Sequence, residues 1–290
     1  MFLLDTTGKA LVLIFLVTSM LSIGMQTRVA DLRLALASKG FLARMLLANF
    51  VVVPVLGVAI AFLLPLQPHV AGALVLLACT PGGLSTINYT PKAGNATLAG
   101  VTMCVLAMLA VFISPLLLRL VLPEHIHLLV PHGAALLFFF VFLVFPLLAG
   151  MLVLAKLPGA CAKLSKLLAL AALVAFVAFG VVNGALRKTA ASEIGVAAMG
   201  AMLLFIVGSM VVGWLMGGPG RDTRQVLATA SSMRNAVLCL AIVQSTAPGH
   251  VALMPLVAFS MLMVPPNMLL TLYSAVQAKR RARRNRAGGL

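Results

Sequence analysis

The stretch Leu227-Ala-Thr-Ala-Ser-Ser-Met-Arg-Asn-Ala-Val-Leu-Cys-Leu-Ala-Ile-Val-Gln-Ser245 decides how the chain is read. It is apolar at both ends and long enough to cross a hydrocarbon layer, which takes about 20 helical residues. Its centre nevertheless holds Ser231, Ser232, Met233, Arg234 and Asn235 in a row. A charge at bilayer depth costs several kcal/mol and normally faces a cavity or a partner. Arg234 is therefore a functional-site candidate. The competing reading is a helix-end arginine that snorkels to the cytoplasmic surface.

Composition sets the class. The chain is 62% hydrophobic and 9% charged, with a mean hydropathy of +1.15, which excludes a soluble fold of 290 residues. The formal charge of +16 would suggest a nucleic-acid partner in a soluble protein. Here the cations lie between apolar runs and in a tail, 278–290, that contains KRRARRNR. That placement fits membrane topology and anionic lipid headgroups, and no nucleic acid is implied. Cys79, Cys104, Cys161 and Cys239 are widely spaced without a CxxC and read as packing residues. No cofactor or metal is implied. No cleavable signal pattern follows Asp5 and Lys9.

Apolar segments fall near 9–27, 44–64, 69–90, 96–122, 132–155, 167–186, 190–216, 225–246 and 250–277, which predicts an all-α protein of nine spans. Arg28, Arg33, Lys39, Arg44, Lys92, Lys156, Lys163, Lys166, Arg221, Arg224 and the tail fall on one set of connections. Lys9, Arg119, Arg187 and Lys188 fall on the other. The cation excess puts the tail in the cytoplasm and the N-terminus outside, in a plasma (inner) membrane. The carboxylates Asp5, Asp31, Glu124, Glu193 and Asp222 all fall in or beside expected loops.

The third segment is the other unusual one. Pro81, Gly82 and Gly83 interrupt it, and Ser85, Thr86 and Asn88 follow. Proline removes a backbone donor and glycine admits dihedrals closed to other residues. An unwound backbone at membrane depth is tolerated only where it lines a cavity or is buried in protein. Two interrupted spans, third and eighth, run in opposite directions, as inverted repeats require, and such pairs mark a transporter's binding site. The alternative is two ordinary kinked helices whose proline and glycines serve packing.

The run PGGLSTINYT, then Lys92, Gly94-Asn95 and Ser114-Pro115, resembles the bile acid:sodium symporter family. Met233-Arg234-Asn235 is similar to that family's second crossing motif, Glu-x-x-Met-Gln-Asn. The resemblance implies a core with two crossed, unwound helices and a separate panel. The panel would be about 9–27, 132–155 and 167–186, and the core about 44–122 and 190–277. In the family, sodium is held by hydroxyl and amide oxygens and by the second motif's carboxylate. The corresponding positions here are Ala99, Met103, Ala230 and Arg234. None supplies a side-chain oxygen, and Arg234 repels a cation. At an effective dielectric near 20, unit charges about 4 Å apart interact by roughly 4 kcal/mol.

The expectation is thus a carrier of a small organic anion that works without sodium, with Arg234 standing in for the bound cation. Ser85, Thr86, Asn88, Ser231, Ser232 and Asn235 would complete the substrate contacts. Three rivals stay open: a sodium-coupled symporter, a membrane scaffold that binds without moving its ligand, and an intramembrane enzyme using Cys79 or Cys104. Bile salts, pantothenate-like acids and short keto acids all suit a cationic crossover. Sequence sets no oligomeric state.

Overall fold

The computed structural model describes residues 6–30, 38–82, 96–121, 137, 140–182, 184–236, 239 and 253–287, and these are helical with short connections. Ten helices are numbered here in chain order. They are α1 (Thr6–Gly24), α2 (Lys39–Leu63), α3 (Pro68–Cys79), α4 (Ala96–Val121) and α5 (Phe140–Lys156). After these come α6 (Pro158–Val182), α7 (Gly184–Met216), α8 (Arg221–Ser232), α9 (Leu253–Leu262) and α10 (Val264–Ala287). Three spans, Lys39–Leu63, Ile194–Met216 and Met254–Gln277, are individually long and apolar enough to cross a membrane. A fourth is the pair Leu98–Ala110 and Phe112–Val121, bent by 57°. Pro115 explains the bend, since its ring crowds the Val111 carbonyl one turn earlier and leaves it without a donor.

The distribution of polarity is that of a polytopic membrane protein. Val55, Phe62, Leu116, Leu120, Val211 and Leu215 point outward and are exposed. Asn49, Thr80, Thr102, Ser114, Ser209, Gln225, Thr229, Ser231, Ser232, Arg234, Asn235 and Asn267 are buried. In water so large an apolar surface would drive association; in lipid it is the solvated face.

Prolines and glycines shape the helices. Among the described residues the π-helical turns Ala48–Val52 and Phe140–Val144 each end just before a proline, Pro54 or Pro146, whose missing N–H breaks the regular ladder. The first of these turns carries Asn49. Helix α1 packs against α5 and α6. Its crossing with α5 is so close that a Cβ on Gly150 would lie 2.8 Å from the Met25 nitrogen. Helix α7 packs against α8, α9 and α2, α2 lies on α3, and α8 also meets α4. A Cβ on Gly213 of α7 would come within 2.6 Å of Ala228 Cα on α8, so glycine is what lets those two helices touch.

One sequence expectation is corrected. The loop expected between 186 and 190 is helical, because α7 runs through it from Gly184. The break comes later, at Gly195, with φ 76° and ψ 158°, and Glu193 lies in the helix just before it. Arg187 and Lys188 read as loop by polarity, yet both are good helix formers.

A candidate substrate site where two broken helices meet

Helix α3 stops at Cys79 because Pro81 cannot donate and Gly82 turns to φ 92°. That conformation is open to glycine and strained for other residues. Helix α8 stops at Ser232, and Met233 takes extended dihedrals, φ −86° and ψ 105°. The chain then resumes a helical bond, with the Cys239 N–H donating to the Asn235 carbonyl at 3.0 Å. Both helices end where the sequence indicated, α3 ahead of Pro81 and α8 within the Ser231–Asn235 run, and the third segment beyond Gly82 lies outside the described residues.

The two breaks touch. The Asn235 N–H donates to the Thr80 carbonyl at 3.1 Å, so each break supplies the backbone partner the other has lost. A side-chain bond lies beside it, between Thr80 Oγ1 and Cys239 Sγ at 2.8 Å. The Thr80 hydroxyl has one proton, which it gives to the Leu76 carbonyl at 2.9 Å, so the thiol is the donor in the second bond. A third link ties α8 to α10. Ser232 Oγ donates to Asn267 Oδ1 at 2.8 Å, while Asn267 Nδ2 donates to the Met263 carbonyl, also at 2.8 Å.

Arg234 lies at the centre of this crossing and is 1% exposed. Burial overturns the snorkelling alternative: the side chain points inward. Its Nη1 donates to Asn49 Oδ1 over a long 3.4 Å. Asn49 Nδ2 is committed to the Met45 carbonyl at 3.1 Å, which fixes the amide with its oxygen toward the guanidinium. The Phe205 ring lies 6.0 Å from the Arg234 Cζ, at the outer limit of a cation–π contact, and packs against Phe259 in turn. The Nε and Nη2 of Arg234 have no hydrogen-bond acceptor among the described residues.

The electrostatics favour a cation. The C-terminal ends of α3 and α8 both point here, and each carries a fraction of a negative charge. Some of the carbonyls there are already bonded. Leu76 and Leu77 bond to Thr80, Thr229 to Met233, and Thr80 to Asn235. The guanidinium thus occupies a place that favours positive charge, and among the described residues Asn49 is the acceptor it meets.

Of the expected site residues, Ser231, Ser232, Arg234 and Asn235 are all buried at this crossing, with Pro81 and Gly82 in the facing break. Gly83, Ser85, Thr86 and Asn88 lie outside the described residues. Ala99, Met103 and Ala230 are buried. Asn49, Phe205 and Asn267 had not been anticipated. They sit in apolar spans where a lone amide or aromatic carries no motif, and only Asn49's place ahead of a proline break hinted at a role. Thr102 and Ser114 of α4, with Thr229 and Ser231 of α8, have buried hydroxyls without a partner among the described residues.

An all-helical membrane protein with a polar crossing of two broken helices at its centre is the class these features define. The model of the Sodium Bile acid symporter family matches residues 13–194, more than half of the chain, and the chain belongs to that family of membrane transporters. The matched segment includes the first break and stops short of Arg234. Among curated relatives, the chain is 34% identical over 101 residues to the probable sodium/metabolite cotransporter BASS1, chloroplastic, of Oryza sativa subsp. japonica. It is 34% identical over 104 residues to the Arabidopsis thaliana protein of the same name. It is 32% identical over 118 residues to the probable sodium/metabolite cotransporter BASS2, chloroplastic, of Oryza sativa subsp. japonica. These matches cover 34%, 35% and 40% of this chain and 25%, 26% and 27% of the relatives, so the chain spans about a quarter of their length.

Proposed function

We propose that the protein carries a small organic anion across its membrane by alternating access, with Arg234 in place of a bound cation. One observation carries this reading. Among the described residues the buried guanidinium of Arg234 meets Asn49 and the edge of an aromatic contact, and its Nε–Nη2 edge meets no acceptor. That edge is a planar fork suited to a carboxylate. Ser231, Ser232 and Asn235, with Ser85, Thr86 and Asn88, which follow the Pro81-Gly82 break in sequence, would complete the contacts. Nine spans in inverted repeats, a cytoplasmic tail near anionic headgroups and a plasma-membrane address belong to the same proposal. So does a moving pair of bodies, a panel of α1, α5 and α6 and a core of α2–α4 and α7–α10. The packing of α1 on α5 and α6, and of α7 on α2, α8 and α9, supports that division.

A second reading, sodium-coupled symport, has support of its own. The relatives' names contain sodium, and the hydroxyls of Thr102, Ser114, Thr229 and Ser231, without a partner among the described residues, lie on two helices that pack together. Hydroxyls are hard oxygen donors, which sodium requires. The deciding experiment is thermal stabilisation of purified protein by taurocholate, pantothenate and pyruvate, with and without Na⁺, followed by uptake in proteoliposomes. Stabilisation that ignores Na⁺ and disappears in Arg234→Gln supports the fixed-cation carrier. A Na⁺ requirement in the unmodified protein replaces it with the symporter, and binding without uptake leaves a scaffold.

A further inference from the structure

Where α2 begins and α7 gives way to α8, the molecule gathers cations. Lys39 opens the span Lys39–Leu63 and Met216 closes the span Ile194–Met216, so both spans reach the membrane boundary at this corner. Trp214, the chain's single tryptophan, comes two residues before that close, and aromatic side chains of this kind mark the headgroup level. Lys39 and Arg221 are exposed here, whereas Arg44 and Arg224 are half-buried. Among the described residues Asp222 is the carboxylate of this corner, and no ion pair joins it to either arginine.

A cation that only faced solvent would project from its helix, and Arg44 does not. Its side chain leans back toward the start of α2, where a Cβ on Gly40 would lie 3.9 Å from Nη2. The guanidinium is laid on the turn that joins α7 to α8. A Cβ built on Gly218 would stand 2.7, 2.9 and 3.0 Å from Arg44 Nη2, Cζ and Nη1. Distances so alike mean that the flat face of the guanidinium rests on the glycine, which leaves its N–H edges directed along the plane. Gly218 has φ 88°, so this turn needs glycine for its backbone as well as for the missing side chain. Arg224 completes the pair. Its Nε donates to the Gly218 carbonyl, and its backbone packs so tightly on Gly217 that a Cβ there would collide with it. Arg44 Nε is buried and meets no acceptor among the described residues.

We infer that the Arg44–Arg224 corner is a binding site for a phosphate group, and that the headgroup of an anionic phospholipid supplies it. Planar guanidinium edges pair bidentately with phosphate oxygens. The location selects a lipid over the free anion. Leu47 and Val51 of α2 and Val211 and Leu215 of α7 are exposed apolar side chains running from this corner into the membrane, a wall for an acyl chain whose headgroup reaches the arginines. Basic pockets between spans at a membrane face hold headgroups in this way. The site is separate from the Arg234 crossing and does not depend on what the protein carries. It also differs from the basic tail, which attracts an anionic surface at large, whereas the corner holds one headgroup in one place. A bound headgroup fastens α2 to the α7–α8 turn, and these are helices of the crossing: α2 carries Asn49, and α8 carries Ser231 and Ser232.

Trp214 reports on this corner without a label. The full chain is reconstituted in phosphatidylcholine vesicles that carry equal minor fractions of either brominated phosphatidylglycerol or brominated phosphatidylcholine. Quenching of Trp214 then measures how often each lipid lies beside it. Each cation near an anionic surface is worth about a fivefold change in binding. With two guanidiniums and Asp222 in opposition, phosphatidylglycerol should be enriched about fivefold over phosphatidylcholine. Arg44→Gln with Arg224→Gln should bring the two lipids to parity. Gly218→Ala should do the same, because its Cβ displaces the Arg44 guanidinium while the net charge stays constant, and it keeps the test decisive if the double variant does not fold. Arg280→Gln with Arg281→Gln in the tail should leave the enrichment as it was. Equal quenching by the two lipids in the unmodified protein overturns the inference. Enrichment that survives in a folded Arg44→Gln, Arg224→Gln protein or in a folded Gly218→Ala protein overturns it too, as does enrichment lost in the tail variant. If inorganic phosphate at fixed ionic strength abolishes the enrichment, the corner belongs to the free anion and the lipid assignment fails.

Discussion

Replacing Arg234 and Asn49 together by apolar residues of similar length, Arg234→Met with Asn49→Leu, separates two uses of the guanidinium. If Arg234 is a charge awaiting cargo, the ligand-free protein pays for it. The relief on removing an uncompensated buried charge is about 3–5 kcal/mol. Against that stand the long bond to Asn49, worth about 1 kcal/mol, and the contact with Phe205, about 0.5–1 kcal/mol. Loss of the favourable helix ends adds about 1 kcal/mol to the debit. Removing both partners leaves no orphaned amide oxygen, so no further penalty applies. The balance is a gain of roughly 1 kcal/mol, or a midpoint rise of about 2–4 °C for a chain of this size. If the guanidinium instead braces the crossing, the debits stand alone and the midpoint falls by about 5–10 °C. A maleimide dye that reports buried thiols follows the transition, since Cys79, Cys161 and Cys239 are all free and buried. A fall in the midpoint of the ligand-free double variant would refute the reasoning. A rise accompanied by loss of anion stabilisation would sustain it.

Other parts of the crossing can be tested one at a time. Ser232→Ala leaves Asn267 Oδ1 buried without its donor. It should cost about 1–3 kcal/mol in thermal unfolding, with Asn267→Leu restoring part of the loss. Gly213→Ala forces a Cβ to within 2.6 Å of Ala228 Cα, which only separation of α7 and α8 relieves. About 1–3 kcal/mol of stability should go with it, together with anion stabilisation, because α8 carries Ser231 and Ser232. At Gly82 an added Cβ meets nothing closer than 3.4 Å, so the φ of 92° alone sets the cost. Gly82→Val should therefore lose more stability than Gly82→Asn, by about 1 kcal/mol, as asparagine enters the left-handed region more readily.

The class of fold was open to reading from patterns that physics makes one-sided. Only a bilayer accommodates so apolar a chain, and only buried or cavity-lining backbone tolerates breaks such as Pro81-Gly82 and Met233-Arg234-Asn235 at depth. Both breaks therefore stood out in one dimension. Their contact did not, since a backbone bond between Thr80 and Asn235 joins residues far apart in sequence and has no compositional trace. Asn49 was hidden for a related reason: one amide in an apolar helix is as easily a packing residue as a partner, and only the fold brings it to Arg234. The loop expected at 186–190 failed because polarity was taken for helix termination, when the chain has its nearby break at Gly195.

The site and the departures from the family motif point the same way. A crossing of two helix ends is a place for positive charge whatever fills it, because the helix dipoles converge there. A mobile cation would satisfy the place and leave with the substrate. On the proposed reading a tethered guanidinium would satisfy it permanently and could not be released, so a sodium gradient would have no ion to release there. What Arg234 would offer instead, on that reading, is a fixed partner for an anion. The two chemistries cannot be combined by adding oxygens alone, since Ala230→Glu in the presence of Arg234 would pair with the guanidinium before it could hold sodium. Ala230→Glu alone should therefore abolish anion stabilisation without creating a response to Na⁺. Only with Arg234→Gln should a Na⁺ response follow, and a Na⁺ response in the single variant would show that the guanidinium does not occupy the cation's place.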